Sequence, residues 1–446
     1  MGSKTTVEGS LEAPTRHPLD WKSSQFYDRD DLYRELERVY DICHGCRRCV
    51  SLCHAFPTLF DLVDESETME VDGVSHDDYM KVVDQCYLCD LCFLTKCPYV
   101  PPHEWNVDFP HLMLRAKAFK FKTQGARFRD RLLSSTDRVG RLAGIPVIVN
   151  FVNAVNRGKT TRRITQAVLG IDADAPLPAY HRQTFRRQYD GYKTEGIEAQ
   201  AAAPTRGRVV LFSTCYGNYN EPEIAEDLLK VFEHNRIQVK VLKQESCCGM
   251  PKLELGDLES VEKLKQQNIA TLARWVEAGW DIVTPVPSCT LMYKQELPLL
   301  FAGDEQVALV QQHCFDPFEY LSIRHKAGLL VTDFPAPLGK LAYHPACHQR
   351  VQRIGPKTKE LLELAGAEVT VVERCSGHDG TYAVKREFRP HSVKIGRPAA
   401  KKIAQAGADY YTSDCPMAGH HLESILADGS HTTHPMRLLR IAYGIS

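Results

Sequence analysis

Apolar residues recur at helical spacing through residues 31–40 (Asp-Leu-Tyr-Arg-Glu-Leu-Glu-Arg-Val-Tyr), which predicts a helix running into the first cysteines. The preceding residues 1–30 are polar and predict extended chain, and Met1-Gly2 with Lys4-Thr5-Thr6 superficially matches a myristoylation signal. Residues 110–170 read as helices. The stretch 195–207, with Ala201-Ala-Ala-Pro204 at its centre, has the composition of a linker. After it the period shortens. Strands are predicted at 208–212, 238–242 and 281–286, with helices at 223–233 and 258–278 between them. The order repeats from Lys340: strand 341–343, helix near 357–364, strand 368–372, helix near 395–405, strand 410–412. Such alternation predicts two parallel-sheet lobes.

Length and composition narrow the class. The 446 residues suffice for two to four domains with real cores, and 43% hydrophobic and 25% charged residues are ordinary for a globular protein. The first residues hold no apolar signal region, and no window reaches the roughly 18 uninterrupted apolar residues of a membrane span. Sixteen cysteines without an export signal point to a reducing cytoplasm, where thiolates serve metals. The net charge of −1 conceals an asymmetry: between Arg115 and Arg163 there are thirteen Lys/Arg against Asp130 and Asp137. The apolar stretch 142–155 lies inside this basic block. It predicts either a helix on an anionic membrane surface or a core helix beside a solvated basic face, which could also dock an acidic protein. No nucleic-acid motif accompanies the charge, so nucleic acid is not expected.

Eight cysteines form two tight runs: Cys43-His-Gly-Cys46-Arg-Arg-Cys49-Val-Ser-Leu-Cys53 and Cys86-Tyr-Leu-Cys89-Asp-Leu-Cys92-Phe-Leu-Thr-Lys-Cys97-Pro98. This is the spacing of a two-cluster [4Fe–4S] ferredoxin, in which three thiolates wrap one cubane and the fourth cysteine of each run ligates the other. The expected sets are Cys43, Cys46, Cys49 and Cys97 for one cluster, and Cys86, Cys89, Cys92 and Cys53 for the second. Zinc is the alternative, although zinc sites usually show paired C-x2-C knuckles. His54 stands where a proline would follow Cys53, which loosens the turn and removes no ligand. The 32 residues between Cys53 and Cys86 exceed a minimal ferredoxin hairpin and fit a larger all-helical module.

The remaining cysteines confirm the repeat. Cys215, Cys247-Cys248-Gly249 and Cys289 each follow a predicted strand, as do Cys347, Cys375-Ser376-Gly377 and Cys415 at offsets of 132, 128 and 126 residues. Loops at the carboxyl ends of parallel strands converge, so each set can form one site. Cys314 matches nothing and is expected to be a buried free thiol.

With these residues the chain resembles the family of cysteine-rich CCG-domain iron–sulfur proteins, which includes catalytic subunits of heterodisulfide reductase and the C subunit of anaerobic glycerol-3-phosphate dehydrogenase. Phrases such as Cys43-His-Gly-Cys46-Arg-Arg-Cys49 and His378-Asp-Gly-Thr-Tyr-Ala-Val384 carry the resemblance. It implies a helical two-cluster ferredoxin domain (1–110), a helical basic connector (111–195), a first α/β CCG lobe (207–325) and a second, degenerate one (338–446). In the full motif, C…CCG…CxxC, five cysteines hold an unusual [4Fe–4S] centre. Here Met292 replaces the fifth in the first copy. Cys215, Cys247, Cys248 and Cys289 remain, enough for a third Fe–S cluster or a zinc ion. In the second copy Ser376 and Ala418 replace two more, leaving Cys347, Cys375 and Cys415 with His344, His348, His378, His420 and His421 nearby. That copy is expected to hold no centre or a labile one.

No Gly-x-Gly-x-x-Gly opens a βαβ unit and no P-loop is present, so a flavin or nicotinamide site is not expected in this chain. The expected role is an iron–sulfur electron-transfer subunit, cytoplasmic or peripheral on the cytoplasmic membrane, with substrate oxidation in a partner. That partner is a flavoprotein dehydrogenase or a di-iron protein, and the resemblance suggests a quinone or thiol/disulfide acceptor. The alternatives are a catalytic thiol–disulfide reductase and a zinc-stabilised, non-redox scaffold.

Overall fold

The computed structural model describes residues 13–445, so the Met1-Gly2 match lies outside the described residues. Its first half is helical. The helix Arg29–Cys46 starts at Asp28, whose carboxylate accepts the Asp31 N–H, and buries Leu32, Leu36, Val39 and Tyr40 on one face. Helices Ala55–Asp64 and His76–Gln85 fill the interval between Cys53 and Cys86.

Seven short strands follow among the described residues: β1 (Arg208–Leu211), β2 (Gln238–Val241), β3 (Asp281–Val283), β4 (Cys314–Phe315), β5 (Gly339–His344), β6 (Ala367–Val371) and β7 (Tyr410–Ser413). They form two parallel sheets of order β2-β1-β3-β4 and β6-β5-β7. The shared 2-1-3 core of the two orders is the duplication predicted from the chain. The fourth strand, β4, was not anticipated; it is two residues long and contains the buried Cys314, whose thiol is free.

Strand alternation divides the interior. Val210, Phe212 and Ile282 face a core that continues into Leu32, Leu36, Tyr40 and Phe56 of the N-terminal helices. Val209, Leu211 and Val283, one step out of phase, face a second core shared with Leu341 and Tyr343 of β5. The helical half and the first sheet are therefore packed as one body.

Three segments differ from expectation. The polar N-terminal stretch is anchored: Trp21 is buried and donates its indole N–H to the Leu300 carbonyl at 3.0 Å, and the Leu19 N–H reaches the Leu299 carbonyl at 2.9 Å. Arg16, its side chain 9% exposed, pairs with Asp90 (2.7 Å), Asp108 (2.9 Å) and Glu296 (3.4 Å), joining the N-terminal helices to the first lobe. His111 joins them at 3.2 Å from Asp108 and 3.4 Å from Glu296, so two basic groups face the three carboxylates; pairing matters there because an unpaired buried charge costs several kcal/mol. The linker-like segment also packs, with Thr194 bonded to the Val239 carbonyl of β2 and Ala202 and Thr205 buried. Finally, the apolar stretch 142–155 is split. Helices Thr136–Ala143 and Pro146–Arg157 meet at 110°, since Gly144 and Pro146 interrupt the first helix and start the second. No described single helix is long and apolar enough to cross a membrane.

Candidate metal centres and the cavity between them

The first run of cysteines begins on a helix and ends in a turn. Cys43 and Cys46 lie in the last turn of Arg29–Cys46, which Arg47 closes in the left-handed conformation (φ 49°). Cys86 ends the helix His76–Gln85. Left-handed Leu88 (φ 56°) and Asp90 (φ 61°) then fold the backbone back between Cys86, Cys89 and Cys92. A wide turn over Cys92–Lys96 delivers Cys97. Burial raises Cys43 well above the ordinary thiol range, with Cys97, Cys49 and Cys46 adding to the shift. Burial also raises Cys92, followed by Cys86, Cys49 and Cys53, and it raises Cys53 with Cys86 as the first charge beside it. The two runs therefore influence one another's thiols. The His54 ring, just after Cys53, stacks on His391 of the second lobe, with centroids 3.7 Å apart.

The lobe cysteines sit at the carboxyl ends of the strands. Cys215 opens the helix Cys215–Tyr219 after β1, Cys247 and Cys248 follow β2, and Cys289 lies in Pro287–Leu291 after β3. Gly249 adopts φ 103°, a conformation side chains resist, and turns the chain sharply behind the cysteine pair. Cys247 is favoured as thiolate because the Cys215 and Cys248 thiols, the Thr136 hydroxyl at 3.3 Å and the Gly249 N–H turn toward it. Asp137 of the connector accepts the Cys247 N–H.

In the second lobe Cys347 opens Cys347–Arg350 after β5, Cys375 follows β6, and Cys415 caps Pro416–Leu426 after β7. Burial pushes Cys375 and Cys415 up to about 12. Of the five histidines near this set, four are committed elsewhere. His344 bonds Ser413 (2.9 Å) and the Arg374 carbonyl (2.8 Å). His348 bonds Ser288 of the first lobe, His420 pairs with Glu221, and His421 bonds Arg389 and Ser392. Only His378 keeps a buried nitrogen, Nε2, without a partner among the described residues.

The two sets face one cavity of about 1060 Å3, lined by cysteines of both lobes and closed on one side by connector residues including Leu132, Val139, Val152, Val155 and Leu169. The N-terminal module also touches it. Burial raises the Cys89 thiol well above its ordinary range, and the charges of Cys347, Asp379, Cys375 and Cys92 add to that shift. The Tyr87 hydroxyl stands 3.6 Å from the Cys375 sulfur.

The donor chemistry fits iron–sulfur groups. Grouped buried thiols can ionise together only against positive charge, which a bound cluster's iron supplies. Among the described residues no three His, Cys, Asp or Glu side chains converge on one point as a lone ion needs, so the donor sets are spread.

Comparison with known proteins agrees with the duplicated geometry. The CCG cysteine-rich domain profile matches residues 209–294 and again 341–423, which contain the two sets. Over 337 residues, 75% of this chain, the sequence is 30% identical to the C subunit of anaerobic glycerol-3-phosphate dehydrogenase from Escherichia coli, covering 82% of that protein. The chain belongs to the CCG cysteine-rich family. It is also similar to lactate utilization protein A of Bacillus cytotoxicus, 29% identical over 216 residues, which is 47% of this chain and 87% of that protein. Both matched CCG domains lack cysteines of the full motif, at Met292 in the first and at Ser376 and Ala418 in the second.

Sequence reasoning missed Tyr87, Thr136 and Asp379 as neighbours of the CCG sulfurs. Thr136 and Tyr87 reach them across more than one hundred residues of chain, and no local pattern announces that. Asp379 had a signal, the phrase Cys375-Ser-Gly-His-Asp-Gly380, in which a carboxylate follows the lost cysteine by three positions.

Proposed function

We propose that the protein is an iron–sulfur electron-transfer subunit, relaying electrons between a flavoprotein dehydrogenase or di-iron partner and a quinone or thiol/disulfide acceptor. Its working units on this reading are the helical module 1–110, the connector 111–195 and the lobes 207–325 and 338–446. The two runs of four N-terminal cysteines carry the reading: the foremost charges beside Cys43 and Cys53 come from the other run, Cys97 and Cys86, as a crossed pair of cubanes would have them. Cys43, Cys46, Cys49 and Cys97 would hold one [4Fe–4S] group, Cys53, Cys86, Cys89 and Cys92 the second, and Cys215, Cys247, Cys248 and Cys289 a third centre. A bound cubane supplies a one-electron donor and acceptor and leaves two-electron chemistry on an organic substrate to a partner. The protein's part is to bury the sulfurs, exclude water and hold the sets side by side: Cys49 lies beside Cys92, and Cys89 beside Cys347 and Cys375. The E. coli relative is named as a subunit of a dehydrogenase, which supports a separate substrate-oxidising partner here.

Location at an anionic membrane surface is supported by the connector. Among the described residues, eight of the eleven exposed large apolar side chains lie between Phe128 and Val168, among them Val147 at 85% exposure, Val168 at 75%, Phe128 at 71% and Phe151 at 70%. Exposed Arg127, Arg131, Arg138, Arg141, Arg157, Lys159 and Arg163 lie in the same segment. Exposed apolar side chains interspersed with cations suit anionic lipid headgroups over acyl chains. Other basic residues of the block are spent internally, such as Arg129 on Glu387 and Arg162 on the carbonyls of 172, 173 and 175.

The thiol–disulfide alternative draws on the stabilised Cys247 thiolate. Iron and acid-labile sulfide, counted on anaerobically purified protein, separate the readings. About eight of each per chain means the two cubanes alone, about twelve adds the first-lobe centre, and neither element leaves the thiol chemistry.

A further inference from the structure

The second lobe has lost the cysteine that pairs with Cys375, and its replacement does not stand in for it. The Ser376 hydroxyl is buried and already accepts the His378 N–H at 3.4 Å. Two residues past the motif's glycine, however, the lobes differ in kind: the first carries Pro251 and the second Asp379. The Asp379 carboxylate reaches into the sulfur set, with Oδ1 3.8 Å from the Cys347 sulfur and Oδ2 3.8 Å from the Cys375 sulfur. No lysine, arginine or histidine pairs with it among the described residues; besides the thiols it meets only the Tyr87 hydroxyl, which bonds it, and the charge of another carboxylate, Glu254. A carboxylate is thus held among thiols, beside the cavity, with nothing cationic to balance it.

We infer that Asp379 is the fourth donor of a metal centre in the second lobe, completing Cys347, Cys375 and Cys415. This rests on the iron–sulfur reading above and adds to it a ligand from outside the cysteine motif. Three thiolates and a carboxylate restore the donor count of the first lobe, and carboxylate oxygen is an accepted ligand of iron. The position also explains why the degenerate lobe keeps its geometry. A side chain at Gly377 would collide with the Ser392 carbonyl and one at Gly380 with the Glu254 carboxylate, so both glycines admit the loop that presents Asp379. The site lies against the Cys53–Cys86–Cys89–Cys92 set through Cys89 and Tyr87. A competent centre there continues the row of sites toward the cavity, whereas a vacant lobe would interrupt it.

The test uses the full-length holoprotein, purified without oxygen, as wild type, Asp379→Ala, Asp379→Cys, His378→Ala and Cys347→Ser. Iron, sulfide and EPR spectra of oxidised and reduced samples are recorded for each. The expected result is that Asp379→Ala loses about one iron per chain and gains the oxidised-state signal of a three-iron cluster, since three thiolates still hold the rest. Asp379→Cys should keep the full iron content with a shifted spectrum, and Cys347→Ser should lose the centre more completely. If Cys347→Ser removes a centre while Asp379→Ala leaves iron and spectra at wild-type values, Asp379 is not a donor. Loss on His378→Ala instead of Asp379→Ala would move the role to that imidazole and overturn the inference. If Asp379→Ala and Cys347→Ser both match a wild type rich in iron, the second lobe is empty. A wild type without iron or sulfide would fail the electron-transfer reading itself, a result distinct from the others.

Discussion

The hydroxyl of Tyr87 lies 3.6 Å from the sulfur of Cys375, two residues 288 positions apart in the chain. Tyr87 follows Cys86 of the N-terminal module, while Cys375 belongs to the second lobe, so this contact spans the seam between two candidate centres. Burial and the charges of Asp379 and Cys375 raise the Tyr87 phenol well above its ordinary range. It therefore stays protonated and can donate to a thiolate.

Removing that donor should tune a centre without dismantling it. A hydrogen bond worth about 1 kcal/mol to the reduced form corresponds to roughly 40 mV for one electron. Tyr87→Phe should keep the wild-type iron content and lower one midpoint potential by about that amount in an EPR-monitored titration. Unchanged potentials would mean that the hydroxyl does not act on a cluster.

The crossed grouping makes opposite demands on the fourth cysteines. Cys53→Ser should weaken the EPR signal of the cluster held by Cys86, Cys89 and Cys92, and Cys97→Ser that of the Cys43, Cys46 and Cys49 cluster. Comparison with Cys89→Ser and Cys46→Ser identifies which signal is which. Each fourth-cysteine variant affecting the cluster of its own run would reverse the assignment.

Stability should fall on the alkaline side through His111. Burial and Arg16 pull its imidazole down, but Asp108 at 3.2 Å and Glu296 at 3.4 Å outweigh them and hold it at about 9. A folded value above the unfolded one, about 6.5, means the contribution is complete below that pH and disappears as pH rises through 9. Denaturant unfolding should lose roughly 2–3 kcal/mol more in wild type than in His111→Gln between pH 6.5 and 9.5. Parallel curves for the two proteins would rule out this titration as the cause.

The connector should bind vesicles through both its parts. Co-sedimentation with anionic phosphatidylglycerol vesicles should weaken as salt rises, because exposed charges are screened over about 8 Å at physiological ionic strength. Phe151→Ala should reduce affinity about tenfold at constant salt, through the apolar area it no longer buries. Equal binding to neutral vesicles, with no effect of Phe151→Ala, would contradict the membrane surface.

The strands were legible because their signal is local: Val209, Val210 and Leu211 are apolar on both faces, and the same run recurs around Leu341. The two N-terminal cysteine runs stand out in the chain because each is written within a dozen residues. What escaped was set by partners distant in the chain. Arg16 looks like an ordinary charge in a polar tail until Asp90, Asp108 and Glu296 close on it. The 110° corner at Gly144 and Pro146 has a cue in those residues, yet which side of the bent pair faces solvent depends on the lobes beneath it. Asp379 reads as a loop acid, and only the fold sets it between Cys347 and Cys375.

The anchoring of Leu19 and Trp21 on the carbonyls of Leu299 and Leu300 has a consequence for how the protein is made. On the ribosome the chain from Cys43 to Cys97 emerges about two hundred residues before those carbonyls exist, which at about 5–20 residues per second is a delay of roughly 10–40 s. Throughout that interval Leu19 and Trp21 lack their carbonyl partners, and Cys89 is not yet covered by Cys347 and Cys375. On the iron–sulfur reading proposed above, the nascent module is open to iron and sulfide during translation, and completion of the C-terminal half closes over it.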